Sequence, residues 1–295
     1  MRLSLLAAAL LTINLAGCQS TGPTRTGQPS AIPSPAASPA DATFAGVSRR
    51  WLDGWMQLNP VSATQLGDHR FDTEVDDLSA DGRQRLVDFS QQRLAELDAI
   101  DASALSRENQ VDASILRNQL HSDIWNMQAF QSWAWDPQVY NNLAGSAIYN
   151  VMARAFAPMP QRLKSATVRM ERIPGIFAQM RANLDTARVP KIHAETVAKQ
   201  NAGILSLVDE FITPNAGQLT GADRVRLDAA VAGLRKAVAD QQVWLDKTLV
   251  PNAKGDFRIG AKLYDEKLRM SLDSALSRAE IRQRAEGEIQ RVRSE

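Results

Sequence analysis

The chain has 295 residues, of which 34 are Lys or Arg and 33 are Asp or Glu, so its formal net charge is only +1. That balance, with no long basic run, excludes the clustered positive surface on which nucleic-acid binding depends. A single cysteine, Cys18, excludes any intrachain disulfide, whatever the redox compartment.

The N-terminus reads as a secretory signal. Met1-Arg2-Leu3-Ser4 carries one positive charge, and the stretch from Leu5 to Ala16 is apolar apart from Thr12 and Asn14. Such a run is too short to span a bilayer, which takes roughly 20 apolar residues. It ends in Leu15-Ala16-Gly17-Cys18, an order that resembles the bacterial lipobox. The resemblance implies cleavage after residue 17 and lipidation of Cys18, which anchors the chain to a membrane. Gln19 and Ser20 follow, with no Asp to act as an inner-membrane retention signal. The expected location is therefore the cell envelope, facing the periplasm, at the outer membrane. Stable anchoring needs more than one acyl chain, and lipoprotein processing places several on one cysteine.

Residues 18–43 form the next segment. Gly22, Pro23, Gly27, Pro29, Pro33, Pro35 and Pro39 alternate with Ser, Thr and Ala, and large apolar side chains are almost absent. A segment of this kind buries too little surface to offset the entropy of ordering, so a disordered, extended tether is expected.

Residues 44–295 carry helical periodicity. Leu86, Val87, Leu94 and Leu97 make one stripe, and Val111, Ile115, Leu120, Ile124 and Met127 another. Further stripes are Val197, Ile204, Leu205, Val208 and Phe211, and then Leu227, Val231, Leu234, Val238, Leu245 and Leu249, closed by Pro251. Breaks are expected at Asn59-Pro60, Asp136-Pro137, Pro158-Met159-Pro160, Pro174-Gly175 and Thr213-Pro214. Pro174 has a second reading, as a kink inside a helix from about Pro160 to Leu184. Ser277-Arg278-Ala279-Glu280 has the spacing of a capping box, flanked by Leu276 and Ile281 at the positions of a hydrophobic staple. The expected fold is all-α, with about eight to ten helices packed as an antiparallel multi-helix domain. Its last helix is still running at Glu295.

Chemistry is sparse. His69, His121 and His193 are the three histidines; none precedes a Glu, and no two lie three or four residues apart. There is no Gly-x-Ser-x-Gly elbow and no phosphate-cradling Gly-rich loop, so no catalytic or metal-binding residue is assigned. Two clusters remain as candidate cleft residues. Trp133, Trp135 and Tyr140, beside Asp136, Asn141 and Asn142, read either as a peptide- or glycan-binding wall or as packing core around a Pro turn. Asp68, His69 and Arg70, following Gly67, read either as the border of a cleft or as a structural polar network.

The order of several segments resembles a large bacterial family known as domain of unknown function 885. These are Asn59-Pro60-Val61-Ser62-Ala63-Thr64, Leu66-Gly67-Asp68-His69-Arg70-Phe71-Asp72, Trp133-Ala134-Trp135-Asp136-Pro137 and Arg154-Ala155-Phe156-Ala157-Pro158. Ile173-Pro174, Asn183-Leu184 and Asp256-Phe257-Arg258-Ile259-Gly260 continue the series. That family is similar to zinc peptidases of the gluzincin type. In such enzymes a His-Glu-x-x-His helix and a downstream Glu hold Zn²⁺, and the Glu of the helix activates water. The resemblance places those motifs in the second half of proteins about twice this length. No His-Glu pair occurs here, so zinc is implied only for a full-length member. The expectation is an N-terminal helical portion of a peptidase, inactive alone, supplying a wall of a peptide-substrate cleft. The rival expectation is a non-catalytic periplasmic lipoprotein that binds a peptide or an envelope partner.

Overall fold

The structure is a computed structural model and describes residues 38–295. The expected signal peptide, Cys18 and most of the expected tether lie outside the described residues. The tether was expected to reach residue 43, but helix α1 (Pro39–Leu58) starts earlier. Ser38 and Asp41 form a reciprocal capping box, and Pro39 occupies the first helical position, where its missing N–H costs nothing. Asp41 also accepts hydrogen bonds from Ser106 N (2.9 Å) and Asn109 Nδ2 (2.7 Å), which pin α1 to a later helix. The Asn109 bond is the main reason that its carboxyl is held down to about 2. A proline that reads locally as tether thus opens a helix, because Ser106 and Asn109, far along the chain, supply partners for Asp41.

α2 (Pro60–Leu66) follows directly, and a short 3₁₀ turn spans His69–Phe71. Next come α3 (Ala80–Asp98) and α4 (Arg107–Trp125), which pack together across the intervening loop. α4 ends in a π-helical turn, Asn126–Phe130, before α5 (Ser132–Trp135) and α6 (Gln138–Met152). α7 (Met159–Asn183) runs through Pro174 without ending there, the second of the two readings of that residue. α8 (Lys191–Gln200), α9 (Gly203–Leu207), α10 (Gly221–Trp244) and α11 (Val250–Asn252) complete the central part. α12 (Ala261–Leu272) and α13 (Arg278–Ser294) close the described chain, with the Ser277–Glu280 capping box formed as expected. Ten of these helices have seven residues or more, and no β-strand occurs among the described residues, so the fold class is all-α.

Two cores hold the helices together. The larger gathers Tyr140, Ile148, Leu163, Met170, Ile173 and Leu234, with α7 packed against both α6 and α10. The smaller joins α1, α3 and α4 through Phe44, Val47, Leu97, Leu116 and Leu120. On α4 the buried face differs from the expected stripe. Leu120 is fully buried, but Val111 is 42% exposed and Ile115 57% exposed. Ala113, Leu116 and Leu120, spaced i, i+3, i+7, turn inward instead. The β-branched pair marks a helix, and only packing decides which neighbouring face of that helix is covered.

A tight backbone contact links the segment after α11 to the loop before α8. Gly255 N donates to Val189 O at 2.8 Å, and an isolated bridge pairs Gly255 with Pro190. A methyl group on Gly255 would collide with the Arg188 carbonyl. Gly255→Ala is therefore expected to destabilise the fold by about 2 kcal/mol, the usual cost of overpacking, measured by urea unfolding. An unchanged midpoint would contradict this contact.

Candidate functional site

The segment between the 3₁₀ turn and α3 is extended, so its backbone groups must find partners outside any helix. Leu78 N donates to Gln179 Oε1 (2.9 Å), while Leu78 O accepts from Arg83 Nη1 (2.6 Å) and Asn183 Nδ2 (2.8 Å). Asp77 accepts from Ser79 N, Gln179 Nε2 and Arg85. α7 and α3 therefore clamp this segment from two sides. Between it, α1 and α3 lies a cleft of about 600 Å³, to which Met127 of the π-helical turn also contributes.

Carboxylates dominate the rim through Glu74, Asp76, Asp77 and Asp88; Arg83 and Arg85 are the basic lining residues. Arg85 is paired with Asp77. Arg83 donates to Leu78 O and Asn183 Oδ1 and lies 3.7 Å over the Trp133 ring. Asp76 is the least ordinary group. Its Oδ1 accepts from Val61 N at 3.0 Å, yet desolvation outweighs that bond and the nearby Arg169, pushing its pKa up to about 6. The cleft thus has beneath it a carboxyl whose pKa burial raises, together with acceptors suited to peptide N–H groups or cationic ends.

A second carboxyl is raised in the same way on α4. Asp123 accepts from Gln119 Nε2 at 2.8 Å, its Oδ2 is buried without a partner, and burial lifts its pKa to about 6. A carboxyl raised in the folded state contributes stability below its unfolded pKa and loses that contribution as pH rises through 6. Asp123→Asn is therefore expected to gain about 2 kcal/mol relative to the parent between pH 4 and pH 7.5. Denaturant midpoints at the two pH values would measure it, and a pH-independent difference would refute the assignment.

None of the six expected cleft residues lines this cleft. Asp68 caps the 3₁₀ turn by accepting from Arg70 N, and its carboxylate pairs with the Arg70 guanidinium, which also reaches Asp53. His69 stacks on Phe156 at 3.5 Å, and its Nδ1 meets Asp72 Oδ2 at 3.1 Å. Asp72 accepts in turn from Thr64 Oγ1 (2.7 Å), which accepts from Arg169 Nη2 (2.7 Å). These bonds hold Asp68, His69 and Arg70 in a polar network around the 3₁₀ turn. The aromatic residues are also turned inward. Trp133 Nε1 donates to Met127 O, Trp135 Nε1 to Phe130 O, and Tyr140 Oη to Trp133 O at 2.6 Å. Both indoles satisfy carbonyls that the π-helical turn leaves without helical donors. Trp133 reaches the cleft through two of its lining residues, under the Arg83 guanidinium and through its bond to Met127 O.

Sequence reasoning missed the groups that shape the site, namely Asp76, Arg83 and Arg169. Arg169 is fully buried and donates to Ala147 O, Pro60 O, Phe71 O and Thr64 Oγ1. A signal was available, because Arg169 sits on the apolar face of α7 beside Ala166, Met170 and Ile173.

The described residues do not fit a zinc ion. Among them no group of three or more His, Cys, Asp or Glu is placed to hold a metal. His69 is engaged by Asp72, His193 Nδ1 lies 3.2 Å from Asp136 Oδ1, and His121 is exposed.

Comparison with solved structures finds a candidate lipoprotein of unknown function from Shewanella oneidensis, 27% identical, with a TM-score of 0.78. The match covers 85% of this chain but 46% of that one, so the chain spans about half the length of its structural neighbour. Comparison with curated proteins gives no match. The sequence profile of one family, described as bacterial proteins of unknown function (DUF885), matches residues 60–295. That is most of the chain, and the protein belongs to this family.

Proposed function

We propose that this chain is the N-terminal helical portion of a lipid-anchored, gluzincin-like zinc metallopeptidase of the cell envelope, attached to the outer membrane through Cys18. The observation that carries the reading is the coverage. Most of this chain aligns with less than half of a neighbour itself described as a candidate lipoprotein. The Leu15-Ala16-Gly17-Cys18 order supports the anchor. No helix of the described residues is long and apolar enough to cross a membrane.

Within that protein, the cleft between α1 and α3 forms one wall of the peptide channel. Its carboxylates receive backbone N–H groups and a cationic end of the substrate, while zinc and its ligands come from the other portion. The zinc supplies Lewis acidity and an activated water when bound. The role of this chain is to bind and orient.

The test is to read the gene past codon 295 and express the product. A His-Glu-x-x-His segment, stoichiometric zinc and peptide hydrolysis lost on chelation are expected. A product without zinc or hydrolysis would overturn the reading. So would stoichiometric zinc in the 295-residue chain alone. Cys18→Ala should release the protein from the membrane fraction.

A further inference from the structure

α12 and α13 differ from helices α1 to α10. Neither contains a buried residue, although both carry regular apolar stripes. α12 has two faces. One meets α4, where Asn118 Nδ2 donates to Met270 O (2.8 Å), Trp125 Nε1 donates to Glu266 Oε2 (2.7 Å), and Lys267 lies 4.8 Å over the Phe130 ring. The opposite face carries Tyr264, Leu268 and Leu272, spaced i, i+4, i+8. α13 repeats the pattern with Ile281, Ala285, Ile289 and Val292 on one side. Tyr264, Leu272, Ile289 and Val292 are between 47% and 55% exposed.

Such a helix is poorly explained by local terms. α13 has 17 residues, close to the length at which an isolated helix is marginal in water. It also holds Gly287 in its interior, where glycine is less favourable than Ala. Arg282–Glu286 and Arg291–Glu288 are exposed pairs within the helix and add little to it. The Arg278–Asp265 pair ties its start to α12, and a cavity of about 640 Å³ opens between the two helices. An apolar stripe opposite a charged one is the form that a helix takes when it packs on another polypeptide surface.

We infer that the Tyr264–Leu268–Leu272 and Ile281–Ile289–Val292 stripes are the seam on which the remaining portion of a longer family polypeptide packs. The occupant is argued from coverage, because the neighbour with the same fold has more than half of its chain outside the match. The inference rests on the reading that this chain is one portion of a longer protein, and not on the peptidase activity.

Amide hydrogen exchange on the 295-residue chain and on the longer gene product tests it. Amides of α13 are expected to exchange at least about 100-fold more slowly in the longer protein. Ile289→Glu with Val292→Glu should abolish that protection while leaving the melting of the 295-residue chain unchanged. If the longer protein hydrolyses peptides but α13 exchanges equally fast in both, the seam is refuted and the peptidase reading survives. If α13 is protected in a longer protein without zinc or hydrolysis, the seam stands and the peptidase reading falls. A reading frame that does not continue overturns both. Concentration-dependent protection of α13 in the short chain would assign the stripe to a second copy and overturn the seam.

Discussion

Replacing Arg169 by Met is expected to lower the unfolding free energy by about 3–5 kcal/mol, the range seen when one partner of a buried charged network is removed. The guanidinium is fully buried and donates to three backbone carbonyls and to Thr64 Oγ1. Met fills similar volume, so the loss falls on the polar groups left behind. Pro60 and Phe71 lose a donor, and the Thr64–Asp72–His69 chain loses its positive end. The variant should also show a distinctive pH dependence. Arg169 now lowers the Asp76 pKa against the dominant effect of burial. Without it the folded pKa of Asp76 rises further above the unfolded value, so more stability is lost as pH increases. The deficit is expected to be larger at pH 8 than at pH 5, read from urea midpoints. An equal deficit at both would mean that Asp76 does not sense Arg169.

Trp133→Ala should cost about 3 kcal/mol, with the substitution acting on stability rather than on ligand capture. It removes the ring under Arg83, the donor to Met127 O and packing beside the π-helical turn. Trp133→Phe keeps a ring for Arg83 but drops the N–H, and should cost about 1 kcal/mol. If both variants melted like the parent, Trp133 would not serve the packing role that its contacts give it. The Ala variant is also expected to loosen the cleft, because Arg83 holds Leu78 O and Asn183 Oδ1 from its place over that ring.

The neighbourhood of Trp133 shows why the candidate site was only partly legible. Trp133, Trp135 and Tyr140 stood out by composition, and their mutual bonds are short-range, Tyr140 Oη reaching Trp133 O seven residues away. What they serve was not legible, because Arg83 and Asn183 come from other helices. Asp68 and Arg70 were visible as a charged turn, and local capping accounts for most of their contacts. Asp76 stands beside Asp77 in the sequence, and nothing in that local order marks it as buried. Its pKa is raised by burial once the chain has packed, against the bond from Val61 N, fifteen residues back, which acts to lower it.

By itself the sequence determined the all-α class, the main helix boundaries, the capping box at Ser277 and the near-neutral charge. It also carried the ordered series of segments that marks the family. These properties follow from spacings of three to four residues, from proline chemistry and from composition, all of which are local. Tertiary structure alone decided that α4 buries Leu116 and leaves Ile115 out, that Pro39 begins a helix, and which groups meet the Arg169 guanidinium in the core. Each depends on atoms far along the chain, as when Arg169 meets Thr64 across 105 positions and Asp41 meets Asn109 across 68. Burying a charge is tolerable only where enough partners converge on it, and that convergence exists only once the helices have packed.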